Sequence, residues 1–136
     1  MDTVLSSPRI VQSFQSILRV YTGLSLLQHG TGKILGFPKV PGFAHIQIGT
    51  LAGAGGLIEL IGGMLFLLGL FTRPVAFILS GFTAVAYFMV HAPRGFYPVL
   101  NGGELAALYC FVFLYFVFAG AGPWSLDALR QGKEAT

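Results

Sequence analysis

The chain has 136 residues, of which 54% are hydrophobic and 10% are charged, whereas soluble domains carry about 25% charged residues. Together with a mean hydropathy of +0.76, this composition excludes a water-soluble globule and predicts a membrane protein. The formal net charge is +3, and the basic residues form no dense run along the sequence. This excludes a nucleic-acid-binding surface.

Long apolar stretches recur along the chain, at 14–35, 46–70, 74–91 and 103–120. Each is close to the length that a membrane-spanning helix needs. We therefore predict an all-α membrane protein, an antiparallel four-transmembrane-helix bundle. Because the four spans and their loops use the chain, residues 1–136 are expected to form a single domain.

The N-terminal segment is expected to stay attached as part of the first helix. Its polar residues recur every few positions, Arg19 interrupts the apolar run, and no small-residue cleavage site follows. These features argue against a cleaved signal peptide. Ser7 followed by Pro8 is a typical start for a long helix.

The first stretch carries polar residues at a spacing of three and four. Such spacing places them on one face of a helix, which we predict to point into the protein. We call this face the seam of the first helix; it consists of Arg19, Thr22, His29 and Lys33 with the apolar Leu26 between them.

The second stretch has one ionisable residue, Glu59. Counted along each helix, its depth falls between those of Arg19 and His29. Because a charge at the bilayer centre costs about 3 kcal/mol or more, we expect ion pairs between Arg19 and Glu59 and between Lys33 and Glu104. Such pairs either hold helices together or form a binding site.

Helix starts can also be read from the second half of the chain. Thr72 is predicted to cap the third helix, and Asn101 with Glu104 has the spacing of a capping box. Ser125 is predicted to cap a short amphipathic helix on the membrane surface. Cys110 is the single cysteine, so an intrachain dithiol is excluded.

The distribution of basic residues predicts the topology. Four spans place both termini on one side, and the side with more basic residues is expected to be cytoplasmic. We therefore predict a multi-pass protein of the inner (plasma) membrane with both termini in the cytoplasm. The terminal side has Arg9, Arg73, Arg130 and Lys133, and the other side has Lys33, Lys39 and Arg94.

Three segments together resemble the DoxX family of small four-helix membrane proteins. They are "QHGTGKILGF" at 28–37, "LIELIGGMLFLLGLFTRPVA" at 57–76 and "NGGELAALYCFVFLYFVFAGAGPWSLD" at 101–127. The resemblance implies a bacterial-type inner-membrane protein with four spans and a link to redox chemistry. Relatives include the membrane subunit of a thiosulfate:quinone oxidoreductase and members associated with thiol-oxidant defence.

We interpret the chain as a quinone-interacting subunit or accessory of a membrane redox system, at most the membrane subunit of an enzyme. No catalytic residue is assigned. Two alternatives stay open: a small-solute or proton carrier working as an oligomer, and a structural or assembly partner without chemistry of its own. The candidate ligand-binding residues are hydrogen-bond donors (His29, Lys33, Tyr97), proton-relaying carboxylates (Glu59, Glu104) and the deep cation Arg19.

The expected cofactor is a quinone, whose ring would stack on aromatics such as Phe37 or Phe96. No metal site is expected, and a depth difference of about 9 Å between His29 and His91 argues against a haem between them. The glycine-rich run 53–59 lacks the spacing of a flavin or nicotinamide fingerprint. The expected partners are the lipid bilayer, a redox partner protein and a second copy of the chain.

Overall fold

The computed structural model describes residues 7–134, with only the backbone described at 133 and 134. The first six residues, which bear on the expected retained N-terminus, lie outside the described residues, as does the Lys133 side chain of the charge count. All regular structure in the described part is helical. The prediction of an all-α protein is confirmed.

The bounds are α1 (Pro8–Ile34), a 3-10 turn (Pro41–Phe43), α2 (Leu51–Leu68), α3 (Thr72–Ala86) extended by Tyr87–His91 and Ala92–Arg94, α4 (Pro98–Asn101), α5 (Glu104–Ala119) and α6 (Leu126–Glu134). The extension of α3 consists of a π-helical turn and a 3-10 turn. In the described part of the chain, two of the helices are long and apolar enough to cross a bilayer: α2, and α3 with its extension to residue 94. A further apolar helix, α5, has 16 residues.

The starts of α1 and α2 are set by hydroxyl caps. Ser7 accepts a hydrogen bond from the Ile10 N–H at 3.5 Å, as predicted, so α1 begins ahead of the apolar stretch. Thr50 accepts from the Gly53 N–H at 3.1 Å. Because this cap defines the start of α2, residues 46–50 are not helical, and the prediction that the second helix includes them is wrong.

Helices α1 and α2 are antiparallel and lie very close together. A Cβ atom added at Gly23 would lie 2.8 Å from Leu67 Cα, and one added at Gly30 would lie 2.6 Å from Leu60 Cα. Only glycine permits this backbone approach, and small residues at such contacts are typical of packed membrane helices. The close packing fixes which residues of α2 face each turn of α1.

The other long helices complete the core. Ser80 of α3 donates to the Cys110 carbonyl of α5 at 2.8 Å. The ring of Phe66 on α2 packs edge-to-face against Phe113 and Phe116 of α5, with centroids 5.0 Å apart in both pairs. These three rings are fully buried. They separate the two ends of the molecule.

We call one end of the molecule the terminal face and the other the loop face. The terminal face holds the start of α1, the turn between α2 and α3, the end of α5, and α6; the loop face holds residues 35–50 and 92–103. At the terminal face, the Asp127 carboxylate accepts from the N–H groups of Phe71 and Thr72 at 2.9 and 2.8 Å. The prediction that Thr72 caps α3 is therefore wrong, whereas Ser125 caps α6 as predicted, accepting from the Ala128 N–H at 3.1 Å.

The predicted capping box at the start of α5 does not form. Asn101 ends α4, and the next residue, Gly102, has φ 73°. Because the chain turns there, the side-chain oxygen of Asn101 accepts a hydrogen bond only from the Gly103 N–H, at 2.8 Å. Its amide group donates to the Gly95 carbonyl and the Tyr87 hydroxyl, so Asn101 anchors the extension of α3 instead.

Candidate functional site

An ion pair joins α1 and α2 near the loop face. Lys33 Nζ donates to Glu59 Oε1 at 2.9 Å and lies 2.8 Å from Oε2. Gly56 allows the lysine side chain to cross α2, because a Cβ atom there would lie 2.9 Å from Lys33 Cβ. The Glu59 carboxylate has no other donor among the described residues, so it keeps acceptor capacity. The side chains are 17% and 8% exposed, so the pair is largely shielded from solvent.

Two aromatic rings and an imidazole border this pair. The Phe43 ring centroid is 5.3 Å from Lys33 Nζ and 6.1 Å from the His29 ring. On its other side, His29 meets the Tyr109 ring edge-on at 6.3 Å. We call Lys33, Glu59, His29, Phe43 and Tyr109 the ion-pair site. It combines a cation, a carboxylate and aromatic surfaces, which suits a planar ring with polar substituents.

Phe43 and Tyr109 were not identifiable from the sequence. Phe43 lies in the loop after α1 and reaches the site through a 3-10 turn that packs on Gly32. Tyr109 is one aromatic among many in α5, and the structure ties its hydroxyl to Ser25 Oγ by a 2.6 Å hydrogen bond. The aromatics expected to stack on a ligand, Phe37 and Phe96, are 77% and 87% exposed.

The predicted pairing of Arg19 with Glu59 is wrong. Arg19 is 1% exposed and lies at the terminal face, where it donates to the carbonyl oxygens of Ala121 at 2.9 Å and Trp124 at 2.6 Å. The error came from the predicted depth of Glu59, which placed it between Arg19 and His29. Because Gly30 packs against Leu60, α2 ends well before the start of α1, and Arg19 extends past that end.

Two further sequence candidates lie outside the ion-pair site. Glu104 is exposed at the start of α5, and the acid beside Lys33 is Glu59, so the predicted Lys33–Glu104 pair is wrong. Tyr97 is 62% exposed and its ring contacts Phe96. The predicted seam of α1 is confirmed, since Arg19 and Thr22 are buried and its outer members form the ion-pair site.

Two other chemistry-bearing residues, His91 and Cys110, make polar contacts outside the ion-pair site. His91 Nδ1 lies 3.2 Å from the Asn101 carbonyl oxygen at the end of α3. Cys110 lies half-buried with its Sγ 3.5 Å from Ser80 Oγ. Among residues 7–134, no group of three or more potential metal ligands comes together.

The family comparison covers four residues of the ion-pair site, His29, Lys33, Phe43 and Glu59, but not Tyr109. The DoxX family model matches residues 14–92. A protein of Haemophilus influenzae described as uncharacterized is 47% identical over 118 residues, 84% of this chain and 88% of that protein. A second uncharacterized protein of that species is 37% identical over 85 residues, 62% of this chain and 51% of that protein. No solved structure matches. The model covers more than half of the sequence, and the chain belongs to the DoxX family.

Proposed function

We propose that α1, α2, α3 and α5 span the inner membrane as an antiparallel four-transmembrane-helix bundle, with both termini cytoplasmic. Helix α1 is less apolar than α2 because of residues such as Ser16 and Arg19, but these are buried. Its exposed positions include Phe14 and Tyr21, 66% and 71% exposed, so its outward surface suits lipid. Helix α5 is about 24 Å long at 1.5 Å per residue, and α4 extends it toward the loop face.

We further propose that the chain is a quinone-interacting subunit or accessory of a membrane redox system. The observation that carries this proposal is the Lys33–Glu59 pair, a cation and a carboxylate shielded within the helices. Ionisable residues inside membrane segments are expensive and mark functional sites. A buried ion pair adds little net stability compared with apolar packing, so adhesion alone is a weak reason for it.

The residues of the ion-pair site fit a quinone ring. Lys33 Nζ and the His29 imidazole can donate hydrogen bonds to ring carbonyls, while Phe43 offers a face for stacking. Glu59 can pass a proton to or from the bound oxygen, since its carboxylate has spare acceptor capacity. A quinone supplies two-electron, two-proton chemistry when bound. The electrons would come from a redox partner protein.

The test is a titration of purified protein in detergent with a short-chain benzoquinone, followed by difference absorbance. Glu59→Gln removes the carboxylate that holds the Lys33 donor, and His29→Ala removes a donor to a ring carbonyl. Each is expected to weaken binding about tenfold, as the loss of one hydrogen bond would. Glu104→Gln is the matched control, because Glu104 is exposed outside the site. Absence of saturable binding, or equal binding by Glu59→Gln and Glu104→Gln, would refute the proposal.

The core argues against a carrier that works within one copy. Leu26, Phe66 and Phe113 lie between the ion-pair site and the terminal face, and each is at most 1% exposed. A hydrophilic path would have to cross this apolar layer. A carrier would therefore depend on an interface with a second copy, and proteoliposome flux that requires Glu59 would favour that alternative over quinone binding.

A further inference from the structure

The terminal face carries a polar recess, at the opposite end of the molecule from the ion-pair site. It has a volume of about 430 Å³ and lies between the starts of α1 and α3 and helix α6. We call it the terminal recess. Its lining includes Gln12, Gln15, Phe71, Arg73, Asp127 and Gln131.

One guanidinium group, that of Arg73, lines this recess, and a second, that of Arg130, lies against the lining residue Phe71. Arg73 is held in place because its Nη1 donates to the carbonyl oxygens of Val117 and Phe118 at 2.8 and 2.6 Å. Its Nε and Nη2 have no acceptor among the described residues. The Arg130 guanidinium lies over the ring of Phe71, a lining residue, with Cζ 4.8 Å from the centroid. A fixed planar donor with unused N–H groups is the side chain best suited to phosphate.

The single carboxylate of the recess does little to oppose an anion. Both oxygens of Asp127 already accept backbone N–H groups at the start of α3. Its charge is therefore balanced by the positive end of that helix. The exposed Gln12 amide makes no hydrogen bond to a described residue and adds a neutral donor.

The backbone beside the recess is strained. Phe71 has φ 52°, in the left-handed region that bulky residues rarely adopt. Strain of this kind is kept where the surroundings require it, and it is common at binding sites. Here it leaves the Phe71 ring half-exposed beneath Arg130.

We propose that the terminal recess binds a phosphate group, with Arg73 and Arg130 as charged donors and Gln12 as a neutral donor. The phosphate belongs either to a phospholipid headgroup, since the recess lies at the end of apolar helices, or to a small soluble phosphate ester. The chemistry is the same for both sources. The experiment separates them.

The ligand test uses the intact protein in a nonionic detergent and follows its thermal unfolding. Phosphatidylglycerol is compared with a diacylglycerol of the same chains, and soluble glycerol 3-phosphate is titrated in parallel. A saturable rise in Tm with phosphatidylglycerol alone identifies the lipid as the source, and a rise with glycerol 3-phosphate identifies a soluble ester. If neither phosphate raises Tm beyond the effect of diacylglycerol, the proposal is overturned.

The residue test avoids Arg73, whose substitution would also free two carbonyl groups of α5. Arg130→Gln and Gln12→Glu are each expected to raise the concentration for half-maximal stabilisation about tenfold, the loss of one charge-assisted contact. Arg94→Gln and Gln47→Glu make the same chemical changes at exposed loop-face positions and should leave it unchanged. Equal phosphate responses in the recess variants and their controls would overturn the proposal.

Discussion

Arg19 and Lys33 are two cations on the same face of α1 with opposite kinds of partner. Arg19 is 1% exposed and donates to two backbone carbonyl oxygens at the terminal face. Lys33 has a side chain 17% exposed and meets the carboxylate of Glu59. Carbonyl oxygens cannot change charge, so Arg19 is suited to holding a loop in place. A carboxylate can exchange a proton with a ligand, so Lys33 and Glu59 are suited to chemistry.

The largest effect is expected at the structural cation. Arg19→Met removes the donors to Ala121 and Trp124 and leaves two carbonyl groups unsatisfied, one in a buried and one in a part-buried position. Each such group costs about 1–3 kcal/mol, so the free energy of unfolding should fall by about 2–6 kcal/mol. Equilibrium unfolding in mixed micelles measures it. Arg94→Met, at an exposed position, is the control; equal losses would remove the distinction between the two cations.

At the ion pair, the expected loss is smaller and recoverable. Lys33→Met strands a shielded carboxylate and should cost about 2–3 kcal/mol, below the usual range for a fully buried pair because Lys33 is partly exposed. Adding Glu59→Gln should restore stability to within about 1 kcal/mol of the wild type. A double-mutant cycle measures this coupling. Additive losses would show that the pair does not act as a unit.

A glycine beside Arg19 gives a third test. Gly69 has φ 66°, and a Cβ atom there would lie 2.9 Å from Arg19 Cζ. Gly69→Ala should therefore destabilise the protein by about 1–3 kcal/mol through backbone strain and crowding. Gly81→Ala is the matched control: it lies within α3 with open space around it and should be neutral or stabilising by up to about 1 kcal/mol. The measurement is the free energy of unfolding of both variants, and equal values would contradict the prediction.

Glu104→Gln should have the smallest effect. Its side chain is exposed and has no basic partner among the described residues, so stability should change by no more than about 0.5 kcal/mol. Quinone binding should also be unchanged. A loss of binding comparable to that of Glu59→Gln would place Glu104 in the site and weaken the contrast drawn above.

The sequence predicted which face of α1 carries chemistry, but not which partners it meets. The seam from Arg19 to Lys33 follows from helical period, and the glycines of α2 predict a close neighbour. The predicted register of α1 on α2 was wrong because α1 continues past the end of α2. Nothing in an apolar run shows where a helix leaves lipid. The partners of Arg19 were unpredictable for another reason. They are backbone carbonyls, which every residue carries.

Side-chain caps also divide into those that the sequence predicts and those that it does not. Ser7 and Ser125 cap helices that start at the very next residue, and local sequence reveals such caps. Asp127 caps α3 from the far end of the chain. Distant caps of this kind depend on the tertiary fold, so local rules assigned the role to Thr72 instead.

The partners of Arg19 also set an order of assembly during synthesis. Lys33 and Glu59 are 26 residues apart, so their pair can form as soon as the α1–α2 hairpin exists. The acceptors of Arg19 lie 102 and 105 residues downstream. Until residues 121–124 have been synthesised and packed, the Arg19 guanidinium lacks these acceptors and depends on other ones. The terminal face is therefore the last part of the protein to close, and the interval before it closes is when the nascent chain is most open to quality control.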